Sequence, residues 1–103
     1  MPYRISDDAD LDLEEIFLYW AERTSLTTTD RVIDAIVERF RLLGEFPDAG
    51  WPSDDIAPGV KCFPAGEYLI YYRRARKHTD ILRIIHGARE QMRAFKKTRK
   101  SRR

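Results

Sequence analysis

A chain of 103 residues with a net charge of +2 has room for one domain, whose folding buries about two thirds of the surface the unfolded chain exposes. It has no apolar run near the ~18 residues of a membrane span, and "MPYRISDDAD" lacks the basic and apolar regions of a signal peptide, so a cytoplasmic protein without membrane contact is expected. The single cysteine, Cys62, excludes an internal disulfide, suggests no metal site and reads as a small buried apolar side chain.

The opening "YRIS" is a short extended segment with Tyr3 and Ile5 on one side. Ser6 and Asp7 can then cap a helix whose first turns carry Asp8, Asp10 and Asp12, favourable against the positive helix N-terminus. Ala9, Leu13, Ile16, Phe17 and Trp20 form its core-facing stripe; Leu11 and Leu18, seven apart, lie off that stripe and are expected to stay partly exposed. "TSLTTTD" breaks the pattern, and Thr27 with Asp30 resembles a capping arrangement for a second helix. Ile33, Ile36, Val37, Phe40 and Leu43 give that helix its apolar face, Gly44 weakens its end and Pro47 stops it. The two helices read as an antiparallel hairpin.

"PDAGWPSDDIAPG" reads as a structured loop. Three strands are then predicted, Val60 to Phe63, Glu67 to Tyr72 and Asp80 to His86, joined by Pro64–Gly66 and by "RRARKHT" as antiparallel hairpins. Beyond Arg89, Met92 and Phe95 could begin a short helix, and residues 96–103 form a basic tail expected to be mobile. The fold class is α+β: an N-terminal strand, a helical hairpin and a three-stranded antiparallel meander in one domain over residues 1–95.

Charge divides the chain. Residues 1–55 hold 14 acidic residues against 5 Arg, a balance of −9, while residues 56–103 hold 14 Lys and Arg against 3 acidic residues, a balance of +11. The basic half suits a nucleic acid or an acidic partner, although a solvated charged surface explains it equally. Within it, "YLIYYRRARKHTDILRIIHGARE" sets Tyr68, Ile70 and Tyr72 on one strand face and Leu69, Tyr71 and Arg73 on the other; Ile81, Arg83 and Ile85 alternate with Leu82, Ile84 and His86. With the helices on one side, the opposite sheet face is open to solvent or a partner, and tyrosines and arginines on an uncovered face are plausible. The plain alternative is that aromatic and β-branched residues favour strands, with Arg stems lying along the sheet.

Cutting RNA through its own 2′-hydroxyl needs a base, an acid and cations for the phosphorane charge. Lys61, Arg73, Arg83 and Arg89 are candidate cations, and His86 is the candidate that titrates near neutrality, with a structural or partner-contact role as the alternative. His78, in a basic turn, reads as a solvated loop residue. No carboxylate pair, phosphate loop, nucleophile elbow or metal motif is present, so neither cofactor nor metal is expected.

The order "ADLDLEEIFLYW", "FPDAG", "GVKCFPAGEYLIYYR" and "DILRIIHGARE" resembles the ParE branch of the RelE/ParE toxins of bacterial toxin–antitoxin pairs, over nearly everything from Tyr3 to Glu90. The resemblance implies a toxin, associated with plasmid stabilisation and growth inhibition, that is neutralised by a ParD-like antitoxin and poisons DNA gyrase, blocking replication. RelE-like relatives instead cut messenger RNA on the ribosome, without a metal. No Tyr or His follows His86, and "HGAR" is closer to ParE, so the non-catalytic gyrase reading is preferred. Target contact then falls to Tyr72, Arg73, Arg83, His86 and Arg89, and antitoxin contact to Leu11 and Leu18. In the nuclease alternative, Lys61, Arg73, Arg83, His86 and Arg89 are catalytic. The basic tail exceeds the shared core and could contact nucleic acid nonspecifically.

Overall fold

The computed structural model describes residues 2–88. In chain order they form β1 (Tyr3–Ile5), α1 (Asp7–Arg23), α2 (Leu26–Glu45), β2 (Trp51–Pro52), β3 (Val60–Ala65), β4 (Tyr68–Arg74) and β5 (Thr79–His86). The α+β class is as expected. Met92, Phe95, the 96–103 tail and the short C-terminal helix expected there lie outside the described residues.

Ser6 caps α1 through its hydroxyl, which accepts from the Ala9 amide at 3.0 Å, and Asp7, Asp8 and Asp10 set negative charge against the first turn. The helices are joined by Thr24 and Ser25 alone, and α2 starts at Leu26, earlier than the expected cap at Thr27. Ser25 wins because its hydroxyl reaches the Thr28 amide at 3.1 Å while its extended backbone follows directly on Thr24. Ile36, Phe40 and Leu43 are buried on one stripe of α2, each contributing about 1.5–3 kcal/mol of apolar burial. They pack with Ala9 and Ile16 of α1 against Ile70, Tyr72, Ile81 and Ile84 of the sheet.

The sheet has five strands in the order β1-β5-β4-β3-β2. The meander β3-β4-β5 is antiparallel, and β1 joins β5 in parallel over Thr79–Ile81. β2 falls inside the stretch expected to be loop. Its two residues pair with Cys62 and Lys61, and Pro52 is tolerated because this is the sheet's edge. Gly50 carries the chain into β2 where a Cβ would stand 2.5 Å from the Cys62 carbonyl oxygen and 2.7 Å from the Tyr72 hydroxyl, so only glycine fits without displacement. The first hairpin turns at Gly66 and Glu67, later than expected, because Gly66 at φ +62° supplies the positive φ of a tight two-residue turn.

Strict alternation fails in β5. The register steps from Tyr71 opposite Arg83 to Tyr72 opposite Ile81, leaving Leu82 as an extra residue. Ile81 and Ile84, three apart, consequently both face the helices, while Leu82 and Ile85 fall on the other face. There Val60, Cys62, Tyr71 and Ile85 are buried as a second cluster with Ala57, Leu69 and Leu82 packed against it. Cys62 is buried, as its composition class suggested.

Candidate functional site

The edge of β5 builds the first part of the site. β1 covers β5 only as far as Ile81, and beyond that point α1 and its cap residue supply polar side chains in place of a strand. The Ser6 hydroxyl donates to the Leu82 carbonyl at 2.9 Å, and one Asp12 oxygen accepts from the Ile84 amide at 2.9 Å. The same carboxylate receives Arg83 through Nε at 2.7 Å and Nη2 at 3.1 Å, a bidentate charge-assisted clamp. Asp12 is 8% exposed. The Arg83 guanidinium is held above its ordinary pKa chiefly by the bond to Asp12, against a smaller lowering by burial, with the charges of Asp12, Asp8 and Glu15 adding to the rise.

Beside this clamp, a cleft of about 560 Å³ lies between α1 and the far ends of β4 and β5, and His86 lines it with Glu15, Tyr19, Arg23 and Glu67. Trp20 donates from Nε1 to the Tyr68 hydroxyl at 2.9 Å, joining α1 to β4 across its floor. Tyr68 meets the His86 ring edge-on at 5.4 Å between centroids. His86 accepts the Ala88 amide at Nδ1, 3.1 Å, so in the neutral ring the proton sits on Nε2.

The other expected site residues lie elsewhere. Arg73 is exposed on the face opposite the helices, across from Val60. Lys61 is half-buried on β3 opposite Tyr72. Tyr72, expected at a target-binding surface, is a core residue at 0% exposure. Its hydroxyl accepts the Gly50 amide at 2.8 Å, and its pKa is pushed above the ordinary value by burial, partly offset by that bond, with smaller rises from Asp48 and Cys62. The expected open face of tyrosines is corrected likewise: Tyr68 and Tyr72 pack toward the helices, and Tyr71 on the other face is buried. Arg83 is taken up by α1 rather than displayed across a sheet face. Arg89 lies outside the described residues. His78, expected to be solvated, bonds Asp80 at 2.7 Å and is largely shielded.

Leu11 and Leu18 are exposed by 58% and 52% on α1, as their off-stripe spacing suggested. Tyr19, half exposed beside Leu18, carries the Arg23 guanidinium 3.8 Å above its ring. Asp12 was missed as a structural hub, although its signal is present in the sequence. A carboxylate three residues after Ala9 and four before Ile16 sits in the middle of an apolar stripe, where a charge requires a partner. Among the described residues no three His, Cys, Asp or Glu side chains are grouped to hold a metal ion, and no helix is long and apolar enough to cross a membrane.

The sequence profile of the ParE toxin of type II toxin–antitoxin systems, parDE, matches residues 3–91. Toxin ParE1 of Caulobacter vibrioides (strain ATCC 19089 / CIP 103742 / CB 15) is 25% identical over 85 residues, 82% of this chain and 88% of that protein. Toxin ParE3 of the same strain is 28% identical over 76 residues, 74% of this chain and 76% of that protein. A solved chain described as the chromosomal ParDE TA system from P. aeruginosa shares the fold with a TM-score of 0.73 at 24% identity, over 84% of this chain and 95% of that one. The matched span takes in both helices and the whole sheet, so the chain belongs to the ParE toxin family of type II toxin–antitoxin systems.

Proposed function

We propose that this ParE toxin blocks replication by binding DNA gyrase without itself catalysing a reaction, and that a ParD-like antitoxin neutralises it. The observation that carries the first half is the dispersal of the candidate nuclease groups among the described residues. Arg73 projects from the face opposite the helices, Lys61 is half-buried toward the β2 edge, and Arg83 is committed to Asp12. His86 lines the cleft beside that clamp, under α1. A 2′-hydroxyl attack needs its base and its phosphorane cations around one phosphate, and these four side chains do not surround one. For the antitoxin, the exposed Leu11 and Leu18 on α1 offer anchors for an amphipathic partner segment.

The test is a plasmid supercoiling and cleavage assay with purified toxin, gyrase and ATP, run with wild type and His86→Ala. Inhibition or trapped breaks by both proteins, reversed by antitoxin, is the expected result. No effect on gyrase, combined with His86-dependent cutting of translated messenger RNA, overturns the proposal in favour of the ribosome-dependent nuclease.

A further inference from the structure

The turn between β4 and β5 concentrates positive charge, of which the gyrase reading invokes only Arg73. Arg73, Arg74, Arg76 and Lys77 are four cations in five consecutive residues, and all four are exposed. The turn is closed by the Ala75 amide bonding the His78 carbonyl at 2.8 Å, so the four side chains project from an ordered support. Two acids, Asp80 opposite Arg73 in the ladder and Asp48 beside Arg74, offset them only in part. Asp80 is engaged by His78 at 2.7 Å, and Asp48 approaches Arg74 at 3.8 Å with both side chains more than half exposed, an ion pair that water and salt readily exchange.

We propose that this turn is a docking surface for the phosphate backbone of duplex DNA. Backbone binding asks only for spaced cations, and a duplex presents one negative charge per about 1.7 Å of its axis. A peptide partner would need apolar anchors, and a single-stranded nucleic acid would need aromatic platforms for its bases. Residues 73–78 themselves supply neither, since among the described residues the large exposed apolar side chains belong to other segments; the nearest, Phe46 and Trp51, flank the Asp48 that reaches Arg74. The binding is independent of sequence and of gyrase, and it places the toxin on the polymer where a DNA-acting target works.

The test measures binding of the full-length chain to a short mixed-sequence DNA duplex at increasing salt, with no gyrase present. Replacing Arg73, Arg74, Arg76 and Lys77 by Gln removes four contacts, so the slope of log affinity against log salt falls by about 3.6. Equivalently, wild type loses about 150-fold more affinity than the variant as salt rises from roughly 50 to 200 mM. The same difference appears when the tail cations Lys96, Lys97, Arg99, Lys100, Arg102 and Arg103 have been changed to Gln. Acetylation of Lys77 in the unaltered protein provides a reading free of folding effects: duplex DNA protects it. The proposal fails if the slope of the turn variant stays within about one unit of wild type, or if Lys77 is labelled equally with and without DNA. It also fails if single-stranded RNA is bound more tightly than the duplex.

Discussion

Replacing Asp12 by Ala tests the edge of β5. The carboxylate accepts three hydrogen bonds, from Arg83 Nε at 2.7 Å, Arg83 Nη2 at 3.1 Å and the Ile84 amide at 2.9 Å. The Ile84 amide is buried where no strand follows β1, so its loss of a partner costs about 1–3 kcal/mol. The Arg83 side chain is 46% exposed and regains water when released, which reduces the loss of that pair to about 1 kcal/mol. Together Asp12→Ala should destabilise by about 2–4 kcal/mol, lowering the melting temperature by roughly 10–25 °C for a domain of this size. Asp12→Asn keeps an acceptor for Ile84 but turns an amide toward the guanidinium, and should fall between the two. Urea unfolding of wild type, Asp12→Ala, Arg83→Ala and the double variant gives the cycle. A coupling of about 1 kcal/mol or more between the two sites is expected. A loss under about 0.5 kcal/mol for Asp12→Ala would refute the edge-capping role, and strictly additive single changes would refute the Arg83 clamp.

Two further outcomes follow from the geometry. Tyr72→Phe removes the Gly50 bond at 2.8 Å and should cost about 1 kcal/mol at neutral pH. Because the folded pKa of Tyr72 is raised, the folded state keeps its proton at pH values where the unfolded chain has lost it, and stability present below the ordinary value of 10.0 declines as pH rises above it. The wild-type advantage over Tyr72→Phe in thermal unfolding should therefore shrink between neutral and strongly alkaline pH; an advantage that grew would contradict the assigned burial. Changing Leu11 and Leu18 together to Ser should weaken antitoxin binding at least tenfold while leaving the melting temperature nearly unmoved, as measured by calorimetric titration and thermal scans. Unchanged affinity would place the antitoxin on another surface.

The helices, the meander and the exposure of Leu11 and Leu18 were legible because each rests on local pattern. Ala9, Ile16, Ile36, Phe40 and Leu43 recur at helical spacing, and a helix with that stripe buries it wherever the partner lies. The family resemblance was legible for the same reason, since it is carried by contiguous strand and helix segments. The candidate site was not. Period two held from Arg83 to His86, but Leu82 is inserted as a bulge that brings Ile81 to the helix face, and no local signal in "DILRIIHG" announces it.

Sequence by itself determined that α1 and α2 form, which stripes they bury, that three strands follow, and that acidic and basic residues divide between the chain's halves. Only the tertiary structure decided that β1 lies against β5, that Trp51 and Pro52 add a strand beside β3, and that Tyr72 goes to the core to hold Gly50. It alone decided that Arg83 is spent on Asp12, 71 residues away. The division has a physical basis: helix stripes and turns depend on neighbours within a few residues. Strand partners, bulges and the fate of a charge depend on which distant group fills the remaining hydrogen bond.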